Sequence, residues 1–473
     1  MSARYLTTTL PYVNASPHLG HALEFVQADA LVRIWRAKGE EVFFNTGADE
    51  HGQKIFEAAK KAGQDVQAYS DRYAAELRKL ADVLNLDHPA FIRTTDPAHI
   101  AAAQEIWRRC KAKGDIYKKE YEGLYCVGHE AFLKEKDLID GKCPEHDSVP
   151  QLLREDNYFF KFKNYEQPLR EYLGRSGVIM PEWRRIEALN FVNGGLEDFS
   201  ISREKERLSW GIPVPDDDSQ VMYVWFDALT SYISTLGWPN ESGDFKKFWL
   251  DGHTLQMAGK DQIRFQSLMW QAMLMSADIK NTDTVFYHGF INSGGRKMSK
   301  SLGNVISPYD LVKKYGTDAT RYILLRHIHA TDDSDVTWER LDEWYTAHLA
   351  NGLGNLVARV MKLAEDNNVP LIRTNISDPA TQLIERVTDS FEFNEAMNVI
   401  WQKIQTIDRH INEQEPYKVV KTNPAQGKAL IQNFVRNVFE VGTLLEPFMP
   451  DTSKGILVAI QANKKPGNLF PRL

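Results

Sequence analysis

The first fifty residues alternate between strand-like and helix-like patterns, and this alternation limits the possible folds more than any other feature. The β-rich run Arg4–Leu10 ends at Pro11, and a helical pattern with one apolar face opens at Pro17. That pattern stops at Gly39, because glycine is favoured just beyond a helix end, and Glu40–Asn45 has the pattern of the next strand. Strand, helix and strand in this order form a βαβ unit. The sequence therefore predicts a parallel sheet with covering helices.

The turn that leads into this helix has residues suited to phosphate. His18 and His21 are three residues apart, so they project from one side of the first helical turn. The amino end of a helix favours an anion, typically phosphate. Gly20 lets a flat ring approach the backbone. Two histidines that merely lie near a helix start are an equally good explanation of these residues alone.

A second motif, Gly294–Gly303, reads GGRKMSKSLG and carries two lysines three residues apart. A lysine cluster alone is usually a solvated surface loop, but Lys297 and Lys300 between glycines also suit a cationic clamp for polyphosphate. The ordered pair of motifs, HLGH from His18 to His21 and KMSKS from Lys297, is far more specific. It resembles the signature of class I aminoacyl-tRNA synthetases. The intervening sequence resembles the methionyl-tRNA synthetase family over nearly the whole chain.

This resemblance implies an enzyme that joins methionine to ATP, releases pyrophosphate and transfers the methionyl group to tRNA(Met). His18, Gly20 and His21 would bind ATP, with Gly20 beside the adenine. Lys297 and Lys300 would bind ATP as well and neutralise the charge that develops on the transferring phosphate. The two histidines and two lysines are therefore the catalytic candidates. Mg2+ would travel with ATP, coordinated mainly by phosphate oxygens and water.

The resemblance also implies a methionine pocket with apolar and aromatic walls, which suit a flexible thioether. Asp49 would pair with the α-ammonium, and the Tyr232 hydroxyl and Leu10 backbone would hydrogen-bond the sulfur. The alternative, that aromatic residues at such spacing are simply core residues, applies best to Phe265. The full set of pocket candidates is Leu10, Tyr12, Asp49, Trp225, Ala228, Tyr232, Gln262, Phe265, Gln266 and Trp270.

Four positions depart from the usual pattern of this pocket. Thr9 stands where alanine is common in the family, and Leu229 stands where proline is common. Gln262 replaces a usual isoleucine, and Gln266 replaces a usual histidine. Two glutamines make the pocket more polar, so their amides need hydrogen-bond partners there. We expect a variant methionine pocket with an altered response to methionine analogues.

The character of the sequence changes near Asp115, where two C-x-x-H pairs follow an aromatic, β-like stretch. They supply four potential ligands in knuckle spacing, Cys126, His129, Cys143 and His146. This set suits a closed tetrahedral Zn2+ site, and Asp140–Gly141 suggests the turn between the pairs. The family more often has cysteine at the His129 position, and a metal-free knuckle held by packing is the alternative.

From Trp344 the pattern is helical almost to the end, which predicts a helix bundle. Asn355 and Arg359 lie four residues apart on one helix face and match the family's pair that contacts the CAU anticodon. Tyr417 stands where the family usually has tryptophan, and tyrosine still stacks on an unpaired base. Without the resemblance, Asn355 and Arg359 would be ordinary solvated helix residues.

The expected architecture is α/β, a Rossmann-type parallel-sheet catalytic domain with a connective-peptide insertion and a C-terminal α-helical bundle. Residues 1–115 form the first half of the catalytic domain, and residues 116–219 form the insertion with the zinc knuckle. Residues 220–330 form the second half with the KMSKS loop, and residues 331–473 form the helical anticodon-binding domain.

Composition limits the remaining possibilities. The 473 residues are 43% hydrophobic, enough for two or three domains with cores. No run of eighteen apolar residues and no leader pattern occurs, so no membrane segment is expected. Three cysteines fit a reducing cytoplasm.

The charge is unevenly distributed along the chain. The net charge is −7, but residues 400–473 hold ten Lys/Arg against six Asp/Glu, which suits selective RNA docking. The chain ends soon after the bundle, so we expect a monomer without the dimerising module of some relatives.

Two rival functions remain at this point. Leucyl-, isoleucyl-, valyl- or cysteinyl-specific enzymes share the signature, but the aliphatic-specific members carry a large editing insertion for which this chain has no room. A catalytically dead, RNA-binding or regulatory derivative is the other rival. The intact histidines and lysines of both motifs argue against it.

Overall fold

The computed structural model describes residues 3–127, 131–133, 135, 138–144, 147–298, 304–370 and 379–473. The chain divides into two compact units. The first unit comprises residues 1–17, 40–79 and 88–288, and the second comprises residues 18–39, 80–87 and 289–473.

The strands are mostly short and belong to four sheets. In chain order they are β1 (Ala3–Thr7), β2 (Glu41–Ala48), β3 (Ala90–Arg93), β4 (Ile116–Cys126), β5 (Ala131–Leu133), β6 (Gln151–Phe160), β7 (Ile179–Met180), β8 (Phe199–Ser200), β9 (Ser202–Glu204), β10 (Pro213–Val214), β11 (Asp217–Met222), β12 (His253–Gly259), β13 (Thr284–His288), β14 (Ile291–Ser293), β15 (Arg296–Lys297) and β16 (Ser334–Asp335).

The helices are longer towards the carboxyl end of the chain. They are α1 (Leu19–Ala37), α2 (Gln53–Lys61), α3 (Val66–Val83), α4 (Pro97–Ala112), α5 (Glu166–Leu173), α6 (Glu182–Asn193), α7 (Val224–Ala228), α8 (Ser231–Ser234), α9 (Trp270–Ser276), α10 (Pro308–Tyr315), α11 (Thr317–Arg326), α12 (Trp338–Trp344), α13 (Asn355–Asn367), α14 (Pro379–Ser390), α15 (Phe393–Gln414), α16 (Pro416–Thr422), α17 (Pro424–Leu444) and α18 (Pro450–Ala462). Within the described ranges, none of them combines the length and the apolar surface needed to cross a membrane.

The first unit is built on a six-stranded sheet in the order β3-β2-β1-β12-β13-β7. All its pairings are parallel, which confirms the predicted sheet class. Because parallel strands end at the same edge of a sheet, the loops after β1, β2 and β12 lie along one edge. The edge strand β7 comes from inside segment 116–219 and pairs Ile179 with Val285. This strand has no counterpart among the elements predicted from the sequence, since two residues carry no periodic signal.

Two antiparallel sheets accompany the parallel one in the first unit. One has the order β5-β4-β6-β8 and the other the order β10-β11-β9. Ile139 and Lys142 exchange both backbone hydrogen bonds, at 2.9 Å each. Asp140 and Gly141 between them have φ of +50° and +75°. This two-residue hairpin confirms the predicted turn, since both central positions need positive φ.

A buried ion pair joins elements of the second unit. Asp29 of α1 and Arg321 of α11 are fully buried, with Arg321 Nη2 at 2.7 Å from Asp29 Oδ2. Arg33 Nε also donates to Asp29, at 2.7 Å, and Arg321 Nε donates to the carbonyl of Phe448, at 2.8 Å. Multiple hydrogen bonds of this kind compensate the cost of burying both charges.

Two predicted helices have different limits in the structure. The pattern from Ile55 to Leu84 predicts one helix, but α2 and α3 are separate, with Gly63 at φ +65° between them. Ile55 of α2 and Leu77 of α3 pack into the same apolar cluster, so the apolar pattern continues across the break. The helix expected from Trp344 starts at Trp338 and continues through a π-helical segment, Tyr345–Gly354, into α13.

Candidate active site

The start of α1, in the second unit, is capped by its own two histidines. His18 is the N-cap residue, with φ −119° and ψ 174°. Its Nδ1 accepts from the Gly20 amide at 3.1 Å, and His21 Nδ1 accepts from the His18 amide at 3.4 Å. The two rings stack with centroids 3.8 Å apart and planes 21° apart. This is a capping box in which imidazoles replace the usual hydroxyl and carboxylate.

The capping determines the tautomer of each neutral ring. A ring nitrogen that accepts a hydrogen bond carries no proton, so the proton of each imidazole lies on Nε2. The stacked pair therefore presents two Nε2–H donors side by side. The amino end of this helix was predicted to bind an anion. The amides of His18 and Gly20, however, already donate hydrogen bonds to the imidazole rings. A Cβ on Gly20 would lie 2.9 Å from His18 Cε1, so glycine is what allows the cap to form.

Aromatic side chains from the segments after β1, β11 and β12 meet in the first unit. The rings of Trp225 and Phe265 stack with centroids 4.0 Å apart and planes 13° apart. Tyr12 meets Trp225 edge-on at 5.9 Å, and Tyr232 meets Trp270 edge-on at the same distance. Trp225 and Phe265 are half-buried, whereas Trp270 is fully buried. The half-buried rings of Trp225 and Phe265, called here the Trp225–Phe265 wall, can therefore contact a ligand. Trp270 is buried and packs against Tyr232.

Leu10, Ala228 and Asp49 belong to the same neighbourhood of the first unit. Leu10 packs against the main apolar core that contains Tyr232, and Ala228 is buried in the helix that carries Trp225. Asp49 follows β2 directly and is only 2% exposed. Its amide donates to the carbonyl of Pro11 at 3.0 Å, and its carbonyl accepts from the Val13 amide at 3.1 Å. These bonds hold the carboxylate-bearing residue beside Tyr12.

The two unexpected glutamines differ in their partners. Gln266 is 1% exposed, and its Nε2 donates to the Tyr232 hydroxyl at 2.7 Å. Gln262 Nε2 donates to Asp261 Oδ2 at 3.0 Å. Both side-chain carbonyls are buried without a hydrogen-bond partner among the described residues. The amide groups thus have the partners that burial requires, and the two carbonyls stay as buried acceptors without a partner among the described residues.

A buried carboxylate that the sequence analysis did not single out lies next to this wall. Asp227 Oδ2 is 2.7 Å from His51 Nδ1, and Asp227 Oδ1 is 2.7 Å from His99 Nε2. His99 Nδ1 lies 2.9 Å from Ser234 Oγ. Burial would raise the pKa of Asp227, but the charges and hydrogen bonds of the two histidines outweigh it and lower that pKa. The signal available in the sequence was a lone aspartate in the apolar run from Val221 to Leu229.

The lysine motif lies only partly within the described residues. Arg296 and Lys297 form β15, which pairs with β14 through a tight turn at Gly294 and Gly295, with φ of +63° and +72°. The Gly295 amide donates to Asp335 Oδ1 at 2.7 Å. Lys300 lies outside the described residues.

The knuckle region is also described in part. Cys126 at the end of β4 and Cys143 are buried thiols that form no disulfide. Cys126 Sγ lies 3.8 Å from Ser148 Oγ, and the Cys143 amide donates to the Ser148 carbonyl at 2.9 Å. Both cysteines therefore contact Ser148. The other two predicted ligands, His129 and His146, lie outside the described residues, and within those residues no group of three potential ligands forms a metal site.

The predicted anticodon residues lie on helices of the second unit. Arg359 donates from Nη1 to Asp408 Oδ1 at 2.7 Å and from Nη2 to Asn412 Oδ1 at 2.9 Å. Asp408 and Asn412 also line a cavity of about 610 Å³ between the π-helical segment and α15. Asn355 begins α13 and is exposed, and the Tyr417 side chain is 38% exposed, with its hydroxyl donating to Glu415 at 3.2 Å.

Comparisons with known proteins extend over nearly all of the chain. The family described as "tRNA synthetases class I (M)" matches residues 4–151 and 136–361. A protein of Brucella suis biovar 1 named methionine–tRNA ligase is 37% identical over 98% of this chain and 92% of its own length. One of the same name from Fusobacterium nucleatum is 36% identical over 98% of this chain and 75% of its own.

Solved structures agree with the sequence matches. Methionyl-tRNA synthetase of Mycobacterium tuberculosis in complex with methionyl-adenylate superposes with a TM-score of 0.90 at 35% identity, over 100% of this chain and 98% of that one. The parallel sheet, the paired histidines and these matches define a class I aminoacyl-tRNA synthetase. Within that class, the chain belongs to the methionyl-tRNA synthetase family, whose members are methionine–tRNA ligases.

Proposed function

We propose that this chain carries out the methionine–tRNA ligase reaction with the residues described above. It activates methionine with ATP to methionyl-adenylate and transfers the methionyl group to tRNA(Met). The observation that carries the residue assignment is the half-buried Trp225–Phe265 wall, with Tyr232 and Asp49 in the same unit. An apolar wall, a hydroxyl and a carboxylate are the groups that a thioether amino acid requires.

The methionine side chain lies against the stacked Trp225 and Phe265 rings, where its sulfur gains from aromatic contact. The Tyr232 hydroxyl and the Leu10 amide donate hydrogen bonds to the sulfur, which is a weak acceptor. Asp49 pairs with the α-ammonium. Gln266 supports this arrangement because its amide holds the Tyr232 hydroxyl at 2.7 Å.

Activation is an in-line displacement at the α-phosphorus of ATP. A methionine carboxylate oxygen forms a bond to phosphorus while the bond to the bridging oxygen of pyrophosphate breaks. Protein groups contribute by orientation and charge stabilisation rather than covalent chemistry. The Nε2–H groups of His18 and His21 donate to phosphate oxygens, Gly20 lies at the adenine, and Lys297 and Lys300 neutralise the developing charge. Mg2+ enters with ATP and is held mainly by phosphate oxygens and water.

The two buried thiols fit a structural Zn2+ ion. Cys126 and Cys143 both contact Ser148, and His129 and His146 would complete a Cys₂His₂ shell of normal composition. Such an ion supplies folding energy to the insertion and takes no part in the reaction. Elemental analysis of protein purified without chelators should find one zinc per chain, and its absence together with failure to take up added zinc would contradict the site.

Recognition of tRNA(Met) belongs to the second unit. Arg359 is held by Asp408 and Asn412, so its guanidinium is oriented before any ligand arrives. Exposed Asn355 offers an amide to a base edge, and exposed Tyr417 offers a flat face for stacking. This arrangement supports anticodon binding at these three residues.

Pyrophosphate exchange with each of the twenty amino acids tests the proposed activity. We expect ATP–pyrophosphate exchange with methionine and only background exchange with the others. Exchange with leucine, isoleucine, valine or cysteine would establish one of the class I rivals. Exchange with none of the twenty would establish a catalytically dead derivative.

The four-part division at residues 115, 219 and 330, a cytoplasmic location and a monomeric state stay predictions. The three cysteines are buried and form no disulfide, which is consistent with a reducing compartment. Sedimentation velocity over a range of concentrations measures the oligomeric state directly.

A further inference from the structure

Asp227 joins two parts of the candidate methionine pocket. It lies in α7 between Trp225 and Ala228, and it is fully buried. His51, 176 residues away in sequence, follows Asp49 by two residues and donates to Asp227 at 2.7 Å. The hydrogen bond thus connects the loop that carries Asp49, the candidate partner of the α-ammonium, to α7, which carries Trp225.

The first three residues after β2, Asp49, Glu50 and His51, are each held by different neighbours. The main chain of Asp49 is bonded to the segment between β1 and α1. The Glu50 carboxylate accepts from Arg93, at 2.5 and 2.9 Å. The His51 ring contacts Trp210, with 5.4 Å between centroids. Its hydrogen bond to Asp227 connects the loop to α7.

The character of this bond makes it an effective anchor. The lowered pKa keeps Asp227 ionised, and hydrogen bonds to an ionised acceptor are about twice as strong as neutral ones. Loss of one partner would also leave a buried carboxylate partly unsatisfied, which is costly. Neither histidine can therefore rotate away cheaply.

We propose that Asp227 is a positioning residue that sets, through His51, the distance between Asp49 and the Trp225–Phe265 wall. The inference rests on the proposed roles of Asp49 and Trp225 in methionine binding. His99 shares the carboxylate but leads to Ser234 of α8 instead of the Asp49 loop. Asp227 should therefore control methionine binding through His51 and stability through both histidines.

Steady-state pyrophosphate exchange with separate methionine and ATP titrations tests this role. Asp227→Asn and His51→Ala should each raise the KM for methionine about tenfold, the scale of losing a hydrogen bond to a charged group. The KM for ATP and kcat should stay within about twofold, since a loss confined to methionine binding is uniform in ground and transition states. His51→Asn should restore most of the methionine affinity, because its amide can donate from near the Nδ1 position.

His99→Ala is the matched control. It removes a hydrogen bond from the same carboxylate, so it should lower the melting temperature as His51→Ala does. Its KM for methionine should rise less than about threefold. Equal methionine KM values for His99→Ala and His51→Ala would overturn the proposal, and so would equal rises in the KM for methionine and for ATP in Asp227→Asn.

Asp49→Asn distinguishes a failure of the methionine-pocket assignment from a failure of the positioning role of Asp227. If it leaves the KM for methionine unchanged in an enzyme that activates methionine, the pocket assignment is wrong and the positioning role falls with it. If it raises that KM while Asp227→Asn and His51→Ala do not, the pocket assignment holds and the positioning role alone is wrong. The His51→Ala and His51→Asn pair decides the matter even if Asp227→Asn does not fold.

Discussion

At the scale of single residues, only one of the two polar groups of the Gln266 side chain has a hydrogen-bond partner among the described residues. Its amide donates to the Tyr232 hydroxyl at 2.7 Å, while its carbonyl is buried without a partner among the described residues. The donor restrains the hydroxyl oxygen. Once restrained, the Tyr232 hydroxyl can donate its hydrogen to the sulfur of methionine. A methylene in place of the sulfur cannot accept that hydrogen bond.

Gln266→Leu should lower the preference for methionine over norleucine, in which a methylene replaces the sulfur. We expect the ratio of the two kcat/KM values to fall about threefold to tenfold, the scale of one neutral hydrogen bond. Pyrophosphate exchange with each amino acid measures it. Tyr232→Phe should show the same fall, and the double variant should show no further fall. A lowered ratio in Tyr232→Phe with an unchanged ratio in Gln266→Leu would contradict the restraint.

Substitutions can separate the capping contact of His21 from its proposed catalytic role. Its Nδ1 accepts from the His18 amide and its Nε2–H faces away from that bond. His21→Ala and His21→Asn should each lower methionine activation by roughly 10²–10³-fold, the scale of losing one transition-state donor. Asparagine keeps the cap but not the distal donor. His21→Gln should recover part of the rate, whereas wild-type exchange in His21→Asn would assign the residue to capping alone.

At the scale of elements, α11 contacts the helix that begins at Trp338 through a histidine pair in the second unit. His327 stacks on Trp344 with centroids 4.2 Å apart and planes 3° apart. The Tyr322 hydroxyl lies 2.9 Å from His327 Nε2 and 2.8 Å from His348 Nδ1. Burial, Arg326 and His348 lower the pKa of His327 to about 3, and burial and Arg326 also lower the pKa of His348.

This contact should make unfolding pH-dependent in a defined direction. Because the folded pKa of His327 lies below its ordinary value of 6.5, its contribution to stability is complete above pH 6.5 and is lost as the pH falls towards 3. Each unit in that window should cost up to about 1.4 kcal/mol. In His327→Gln, urea unfolding between pH 7 and 4.5 should show a shallower dependence. Equal slopes for wild type and His327→Gln would contradict the assignment.

At the scale of the whole molecule, the candidate residues for activation and for tRNA selection belong to separate parts of the chain. Asp49, Trp225 and Tyr232 lie in the first unit, whereas Arg359 and Tyr417 lie on α13 and α16 of the second. Methionine activation needs no tRNA contact. Substitutions on α13 should therefore affect charging and leave exchange intact.

Arg359→Ala should cost roughly 1–3 kcal/mol in kcat/KM for tRNA charging, the range for one good base contact. Methionine-dependent exchange without tRNA should stay near wild type. Aminoacylation of transcripts with CAU and altered anticodons measures the selectivity. Lys362→Ala, on the same helix and paired with Asp366, is the control and should change neither activity. If Arg359→Ala discriminated anticodons as sharply as wild type, another residue would be the reader.

The sequence was sufficient for features that depend on neighbours along the chain. The helix end at Gly39 has φ +79°, and the Asp140–Gly141 turn has both residues at positive φ, as local patterns predicted. The βαβ order likewise predicted a parallel sheet, because apolar periodicity reflects which face of each segment is buried. The two-residue strand β7 and the break between α2 and α3 are too short to alter such a periodicity.

By itself, then, the sequence determined the parallel-sheet class and both signature motifs, since each is carried by residues close together in the chain. Tertiary structure alone decided which distant polar groups meet. It paired Asp227 with His51 across 176 residues, and it placed the Gln266 amide on the Tyr232 hydroxyl across 34. The physical reason is that a buried polar group takes whichever partner the packing brings within about 3 Å, and no periodic pattern along a chain records that choice.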